Sequence, residues 1–323
     1  MQNVKLTMGW PEPVLRQTPH RGGRWGDWQF VIGDDVQVCD FWAVYDGPTY
    51  PQRAYCRKGH VVLITQEPPC IRGYHPDFLK QFSAVLSFRT DLSHPCVLRA
   101  PPPVPWHVGS NRRGLTFQTL WGYDELKRAR FEKTQVLSVI CSNKTVTEGH
   151  RQRLAFVNDL MRHFGPRLHV YGSGFRPILD KWEGLAPYRY HIAIENSRLT
   201  DYWTEKASDG LLAGTMLLYD GCPNLQEYFP SGCFRRIDRN EVAGAIGVIE
   251  QTLAEDPWEA AVPDLLRARD LVLDEYNIFP MLVKHLSGLP PRPPRWVRLR
   301  EEETFGMSRM KVLKRRVRQA LSV

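Results

Sequence analysis

Tyr188–Asp238 reads YRYHIAIENSRLTDYWTEKASDGLLAGTMLLYDGCPNLQEYFPSGCFRRID, and the fold is decided there. Tyr188–Ile194 is aromatic and β-branched with no Gly or Pro, which predicts a buried strand. It ends in Glu195, Asn196 and Ser197, polar residues at the C-terminal edge where open α/β sheets hold their ligands. Trp203–Leu212 carries helical spacing. Asp201 or Thr204 suits its N-cap, and Gly214 suits its end. Thr215–Tyr219 is the next strand. The unit brings Asn196, Tyr202, Glu205 and Lys206 to one helix N-terminus, whose free N–H groups and dipole favour phosphate. Lys206 adds a positive charge, so the expected ligand is a nucleotide phosphate.

Outward from this unit the pattern repeats. Val136–Cys141 is a continuous apolar run of parallel-strand type, closed by Ser142 and Asn143. A helix follows over Thr147–Phe164, then a strand over Leu168–Tyr171. Downstream come a strand at Cys233–Ile237 and helices at Glu241–Leu253 and Trp258–Leu286, the second broken near Pro263 and Pro280. The first half offers strands at Lys5–Trp10, Trp28–Ile32, Phe41–Tyr45, His60–Thr65 and Ala84–Phe88, with a helix near Asp77–Phe82. Pro101–Pro105 is a rigid loop, and Tyr123–Lys133 a helix. The expected fold class is α/β, with two Rossmann-like doubly wound domains facing across a cleft. The expected division is 1–133 as a first Rossmann-like domain and 134–290 as a second, nucleotide-binding one, with 291–323 as a basic amphipathic tail.

Composition narrows the class. The chain has 323 residues, 42% hydrophobic and 24% charged, ordinary values for a globular protein with room for two cores. The longest apolar run, Leu211–Tyr219, is too short to span a bilayer. Met1–Trp10 lacks the pattern of a signal peptide. Seven scattered Cys without a CxxC pair fit a reduced, cytoplasmic compartment. Of the net charge of +8, residues 291–323 hold +7, from ten Lys/Arg against three Glu. The remainder is near neutral, which argues against a nucleic-acid-binding protein. In the tail, Met310, Leu313, Val317 and Leu321 fall on one helical face among basic residues, a pattern suited to an anionic membrane surface.

ENSRLTDYWTEK, then LLAGTMLLYDG and LQEYFPSGCF, resembles the signature of the family-10 α1,3/4-fucosyltransferases. That pattern runs FEN, a short gap, DY, a hydrophobic residue, TEK, EAG, a strand, Gly, and a Pro near a Phe. Ile194 replaces its Phe and Leu212 its Glu of EAG. The resemblance covers 136–240 well and 61–88 loosely. It implies the two-domain GT-B architecture, GDP-fucose as donor, an oligosaccharide hydroxyl as acceptor, and inversion at the transferred carbon. Bacterial relatives often end in a basic amphipathic segment, which implies a lipid-linked glycan at the inner membrane face. A transferase using another GDP- or UDP-sugar is the alternative.

Such a transfer must stabilise a leaving pyrophosphate and take a proton from the acceptor. No Asp-x-Asp motif or His/Cys cluster with ligand spacing is present, so no metal is expected and protein cations take its place. Lys206 is one cation. Arg153 is the other: the family has Ser-Asn, a gap, Arg and an aromatic three residues on, here Ser142-Asn143, Arg153 and Phe156. Its planar fork suits phosphate. Glu205 is suited to ribose or sugar hydroxyls, while Asn196 and Tyr202 either bind the donor or fasten the loop. The strand Val61–Thr65 runs into Gln66, Glu67, Pro68 and Pro69. The family places a Glu before Pro here, and Glu67 is the expected base. His191, inside the central strand, reads as packing.

Overall fold

The computed structural model describes residues 1–9, 13–33, 35–113 and 116–306. The amphipathic face of Met310, Leu313, Val317 and Leu321 lies outside the described residues. The chain divides into two compact units. One comprises Met1–Glu12, Arg24–Ala100 and Leu282–Val323, the other Pro13–Gly23 and Pro101–Met281. These limits differ from a single cut at residue 133. The Pro101–Lys133 segment goes with the second unit, and the chain beyond Leu282 returns to the first.

The first unit is built on β1 (Gln2–Thr7), β2 (Arg24–Trp25), β3 (Trp28–Ile32), β4 (Val38–Tyr45), β5 (Gln52–Ile64), β6 (Ala84–Ser87) and β7 (Val97–Arg99). Their order is β2-β3-β1-β4-β5-β6-β7, and all pairs are parallel except β2 with β3. Seven of the eight β4 residues and all of β6 are buried, which explains the apolar runs Phe41–Tyr45 and Ala84–Leu86 within them. The crossovers carry little helix. Six residues separate β4 from β5, and the link from β5 to β6 holds only α1 (Pro76–Leu79). The link between β4 and β5 is too short to hold a helix.

The second unit adds a hairpin of β8 (Ser110–Arg113) and β9 (Thr116–Leu120), then α2 (Tyr123–Arg128). Its sheet holds β10 (Gln135–Ile140), β11 (Leu168–Tyr171), β12 (Tyr188–Ile194), β13 (Met216–Asp220) and β14 (Phe234–Arg236), all parallel, in the order β11-β10-β12-β13-β14. Between them run α3 (Glu148–Phe164), α4 (Lys181–Leu185) and α5 (Glu205–Leu212), followed by α6 (Val242–Glu255) and α7 (Trp258–Asp274). Thr147 caps α3 and Thr204, not Asp201, caps α5. Gly214 follows α5 at φ +67°.

Pro263 lies inside α7 without breaking it. The interruption falls at Glu275–Asn277, where the Asn277 side chain donates to the carbonyls of Gln17 (2.6 Å) and Leu273 (3.1 Å). It also accepts the N–H of Phe279, which starts α8 (Ile278–Ser287). Pro280 stands in the first turn of α8, where its missing N–H is not needed.

The described part of the expected tail is a strand. β15 (Arg295–Leu299) pairs antiparallel with Gln52–Cys56 of β5, and Val297 and Leu299 enter the core beside Ala54 and Cys56. The chain from Arg295 to Leu299 therefore belongs to the first unit's sheet.

Candidate active site

The strand order of the second unit reverses direction between β10 and β12, because β11 lies to one side of β10 and β12 to the other. Ligands of open α/β sheets bind at the C-terminal edge beside such a reversal. The residues there are Ser142 and Asn143 after β10, and Glu195 and Asn196 after β12. Helices α3 and α5 start from the same edge. The expected donor residues other than Tyr202 and Glu67 stand around this point.

Arg153 is six residues into α3 and only 7% exposed. It donates to Asn196 Oδ1 at 2.7 Å and to Ser142 Oγ at 3.3 Å, so one guanidinium ties the ends of β10 and β12 together. Both partners are neutral. Its Nε is buried without a hydrogen-bond partner among the described residues. A buried charge with no counter-charge is costly, and one that persists at a sheet's binding edge points to an anionic ligand. The first turn of α3 comes close enough for this contact because residue 149 is glycine: a Cβ there would stand 2.1 Å from the Asn196 carbonyl oxygen.

Lys206 is arranged differently. It is the second residue of α5, and its Nζ lies 3.0 Å from Glu205 Oε1 and 3.5 Å from Glu195 Oε2. Burial works against its charge, but Glu205 and Glu195 outweigh it and hold its pKa above the usual value. Burial likewise pushes the Glu205 carboxyl up, yet Lys206 and Lys181 overcome this and keep it well below the usual range. Lys181 also meets Asp209 at 2.9 Å. The charge of Lys206 is thus already matched within the protein, whereas Arg153 has no carboxylate among its described hydrogen-bond partners.

Glu195, not among the expected site residues, anchors this arrangement. It is fully buried, and its carboxylate accepts the N–H of Thr204 (2.8 Å) and the Thr204 hydroxyl (2.7 Å), setting the start of α5. Burial raises its pKa. The Glu195 carbonyl accepts from Arg239, whose Nε lies 2.6 Å from Asp220. Arg198 joins the same network through Asp220 and Asp238. A cavity of about 540 Å³ opens beside it, lined by Arg198, Asp220, Arg236, Asp238 and the first turns of α6. The sequence signal for this network was the acidic end of β13 and the Arg-Ile-Asp-Arg run after β14.

Tyr202 is buried, 4% exposed, in the loop before α5. That loop is fastened at Asp201, which exchanges hydrogen bonds with Asn224 and accepts from the Tyr228 hydroxyl at 2.6 Å. Asn143 is exposed and its N–H donates to Ser173 O at 2.9 Å. Glu67 belongs to the other unit, exposed just past the C-terminal end of β5 and followed by buried Pro68. His191 is enclosed against Ser138, with Nδ1 2.8 Å from its hydroxyl, as a packing residue should be. Among the described residues no group of three or more His, Cys, Asp or Glu could hold a metal ion. All seven cysteines are free, and no described helix is long and apolar enough to cross a membrane.

A reversal point in a parallel sheet, with a buried arginine and two helix starts around it, is the place where open α/β sheets hold anionic ligands. Residues 131–246 match the family described as glycosyltransferase family 10 (fucosyltransferase) C-term. The chain is 35% identical over 80 residues to a putative fucosyltransferase-like protein of Arabidopsis thaliana, covering 24% of this chain and 16% of that one. It is 27% identical over 175 residues to alpha-(1,3)-fucosyltransferase 4 of Mus musculus, covering 53% and 36%. The chain thus spans well under half the length of these curated relatives. A solved alpha1,3-fucosyltransferase with GDP is similar at 17% identity and a TM-score of 0.48, over 82% of this chain and 81% of that one. A solved alpha1,3-fucosyltransferase with GDP-fucose gives 15% and 0.47 over the same shares.

Proposed function

We propose that the protein is an inverting glycosyltransferase that moves L-fucose from GDP-fucose to a hydroxyl of an oligosaccharide, in an α1,3/4-type linkage. The observation that carries this reading is Arg153, a buried cation with neutral partners at the reversal point of the family-10 domain. In the reaction the acceptor oxygen bonds to the fucose anomeric carbon as the bond to the β-phosphate oxygen breaks. Glu67 takes the acceptor proton and GDP leaves. Arg153 meets the charge that grows on the pyrophosphate, where a fixed donor acts at no reorganisation cost. Asn196 and Ser142 hold its fork in place, and Glu205, next to Lys206 at the start of α5, accepts from ribose or sugar hydroxyls. Protein cations supply this charge, so no metal is required.

The test is transfer itself. Incubation with GDP-fucose and a set of oligosaccharides should release GDP and give an α-linked fucosyl product, also in EDTA. Release that needs Mn²⁺, or transfer only from another nucleotide sugar, overturns the reading. The acceptor in this reading is a lipid-linked glycan, and the basic segment beyond residue 306 holds the enzyme on an anionic membrane. Full-length protein should sediment with anionic liposomes at low salt, and a chain ending at Gly306 should not. Equal sedimentation of the two contradicts the membrane role.

A further inference from the structure

The sheet of the first unit has a built cavity at the edge opposite Glu67. It has a volume of about 440 Å³ and lies at the N-terminal starts of β1 and β3 and beside the middles of β4 and β5. Its lining includes three rings in a row. Trp28 and Phe41 have centroids 5.2 Å apart, and Phe41 and His60 stack at 6.0 Å with 16° between their planes. Phe41 and His60 are buried, while Trp28 is half-buried and offers ring surface to a ligand.

The walls are tied in place. His60 uses both ring nitrogens, 3.2 Å from Ser83 Oγ and 2.7 Å from the Pro290 carbonyl. Burial lowers its pKa, against the pull of the Pro290 carbonyl and together with Arg292 and Arg295. Arg295 donates from Nε to the Gly59 carbonyl at 3.2 Å. Gly59, at φ +64°, lets the chain near Pro293 close in: a Cβ would stand 2.4 Å from the Pro293 carbonyl oxygen. The segment Leu286–Arg292 is thereby held as a fixed wall.

The rim is cationic. Arg57, Lys58 and Arg292 line the cavity with exposed side chains, and none of the described lining residues is acidic. The neighbouring Asp40 accepts the Asn3 N–H at 2.7 Å and lies 3.9 Å from Arg57. Three cations over an aromatic shelf suit a ligand that combines an anion with a flat or ring-shaped apolar face. Phosphate alone would be held only by exposed cations, which are weak in water. A neutral sugar would leave those cations unused.

We propose that this cavity binds a monosaccharide phosphate, with the sugar ring packed on Trp28 and the phosphate met by Arg57, Lys58 and Arg292. The site stands apart from Glu67 and does not rest on the fucosyl-transfer reading. Calorimetric titration of the full chain with glucose 6-phosphate, glucose and inorganic phosphate tests it. Glucose 6-phosphate should bind at least roughly tenfold tighter than either fragment, the size of one ring-stacking contact. Trp28→Ala should remove that advantage, and Lys58→Glu, at an exposed position that leaves the fold intact, should weaken binding severalfold. Phosphate binding as tightly as glucose 6-phosphate, binding that both variants leave unchanged, or no binding at all each overturns the proposal. A nucleoside monophosphate that binds tighter than glucose 6-phosphate and is lost in Trp28→Ala also overturns it, since the ring would then be a base.

Discussion

At the residue scale, Arg153 and Lys206 look alike in sequence and behave oppositely in the structure. Arg153 has neutral partners, so removing it relieves the free protein of an unpaired buried charge. Arg153→Met should leave the melting temperature of the ligand-free protein unchanged or higher, yet abolish most of the stabilisation that GDP confers. A large loss of stability without GDP would mean that Arg153 is structural. Lys206 is matched by Glu205 and Glu195, so Lys206→Ala strands a fully buried carboxylate. It should destabilise the protein by about 1–3 kcal/mol in denaturant unfolding, most at neutral pH. Full stability in that variant would contradict the pairing. The presence of both cations was legible in the sequence, but their difference was not, because Glu195 meets Lys206 only once the loop before α5 folds back.

His191 is a second residue whose behaviour follows from its surroundings. Burial, with Lys181 and Lys133 nearby, pushes its pKa down to about 3, against an unfolded value near ~6.5. The unfolded chain therefore binds this proton at a higher pH than the folded one. Stability from neutral His191 is complete above about pH 6.5 and is lost as pH falls toward about 3, up to a few kcal/mol in all. His191→Asn should flatten the decline of unfolding free energy across that window. An unchanged slope would show that other groups govern it.

At the element scale, short strands rich in aromatic and aliphatic residues were readable almost to the residue, as at Tyr188–Ile194 and Leu168–Tyr171. Neither holds Gly or Pro, and polar or Gly residues follow each at once, so their limits show in composition. β15 was hidden for the opposite reason. Its edge position leaves Arg295, Trp296 and Arg298 exposed, and the charges mask the period-two signal of Val297 and Leu299. A chain ended at Pro291 should lose cooperative unfolding of the first unit, whereas one ended at Gly306 should keep it. Equal melting of the two would deny β15 its place in the sheet. The start of α3 makes a second test. Gly149→Ala forces the first turn away from Asn196, and should cost about 1–3 kcal/mol and weaken GDP binding together. Unaltered GDP affinity would separate that turn from the site.

At the scale of the whole molecule, the α/β class and the resemblance to family 10 were carried by fifty residues around one strand-loop-helix unit. That unit lies at the C-terminal edge of a sheet whose order reverses beside it. Glu67 was expected from its place at the end of an apolar strand, before two prolines, and from a loose resemblance, since an exposed Glu after a strand has no signature of its own. The first unit's sparse helices also escaped notice, because alternating strands and turns imitate a doubly wound pattern when crossover lengths are ignored.

The most direct test of the central claim is calorimetric titration of the full chain with GDP, UDP and CDP in EDTA. The account predicts that GDP binds without metal, at least about tenfold tighter than UDP or CDP, and that Arg153→Met removes most of this affinity. No binding of GDP in EDTA, equal binding of the three nucleotides, or full GDP affinity in Arg153→Met would contradict it.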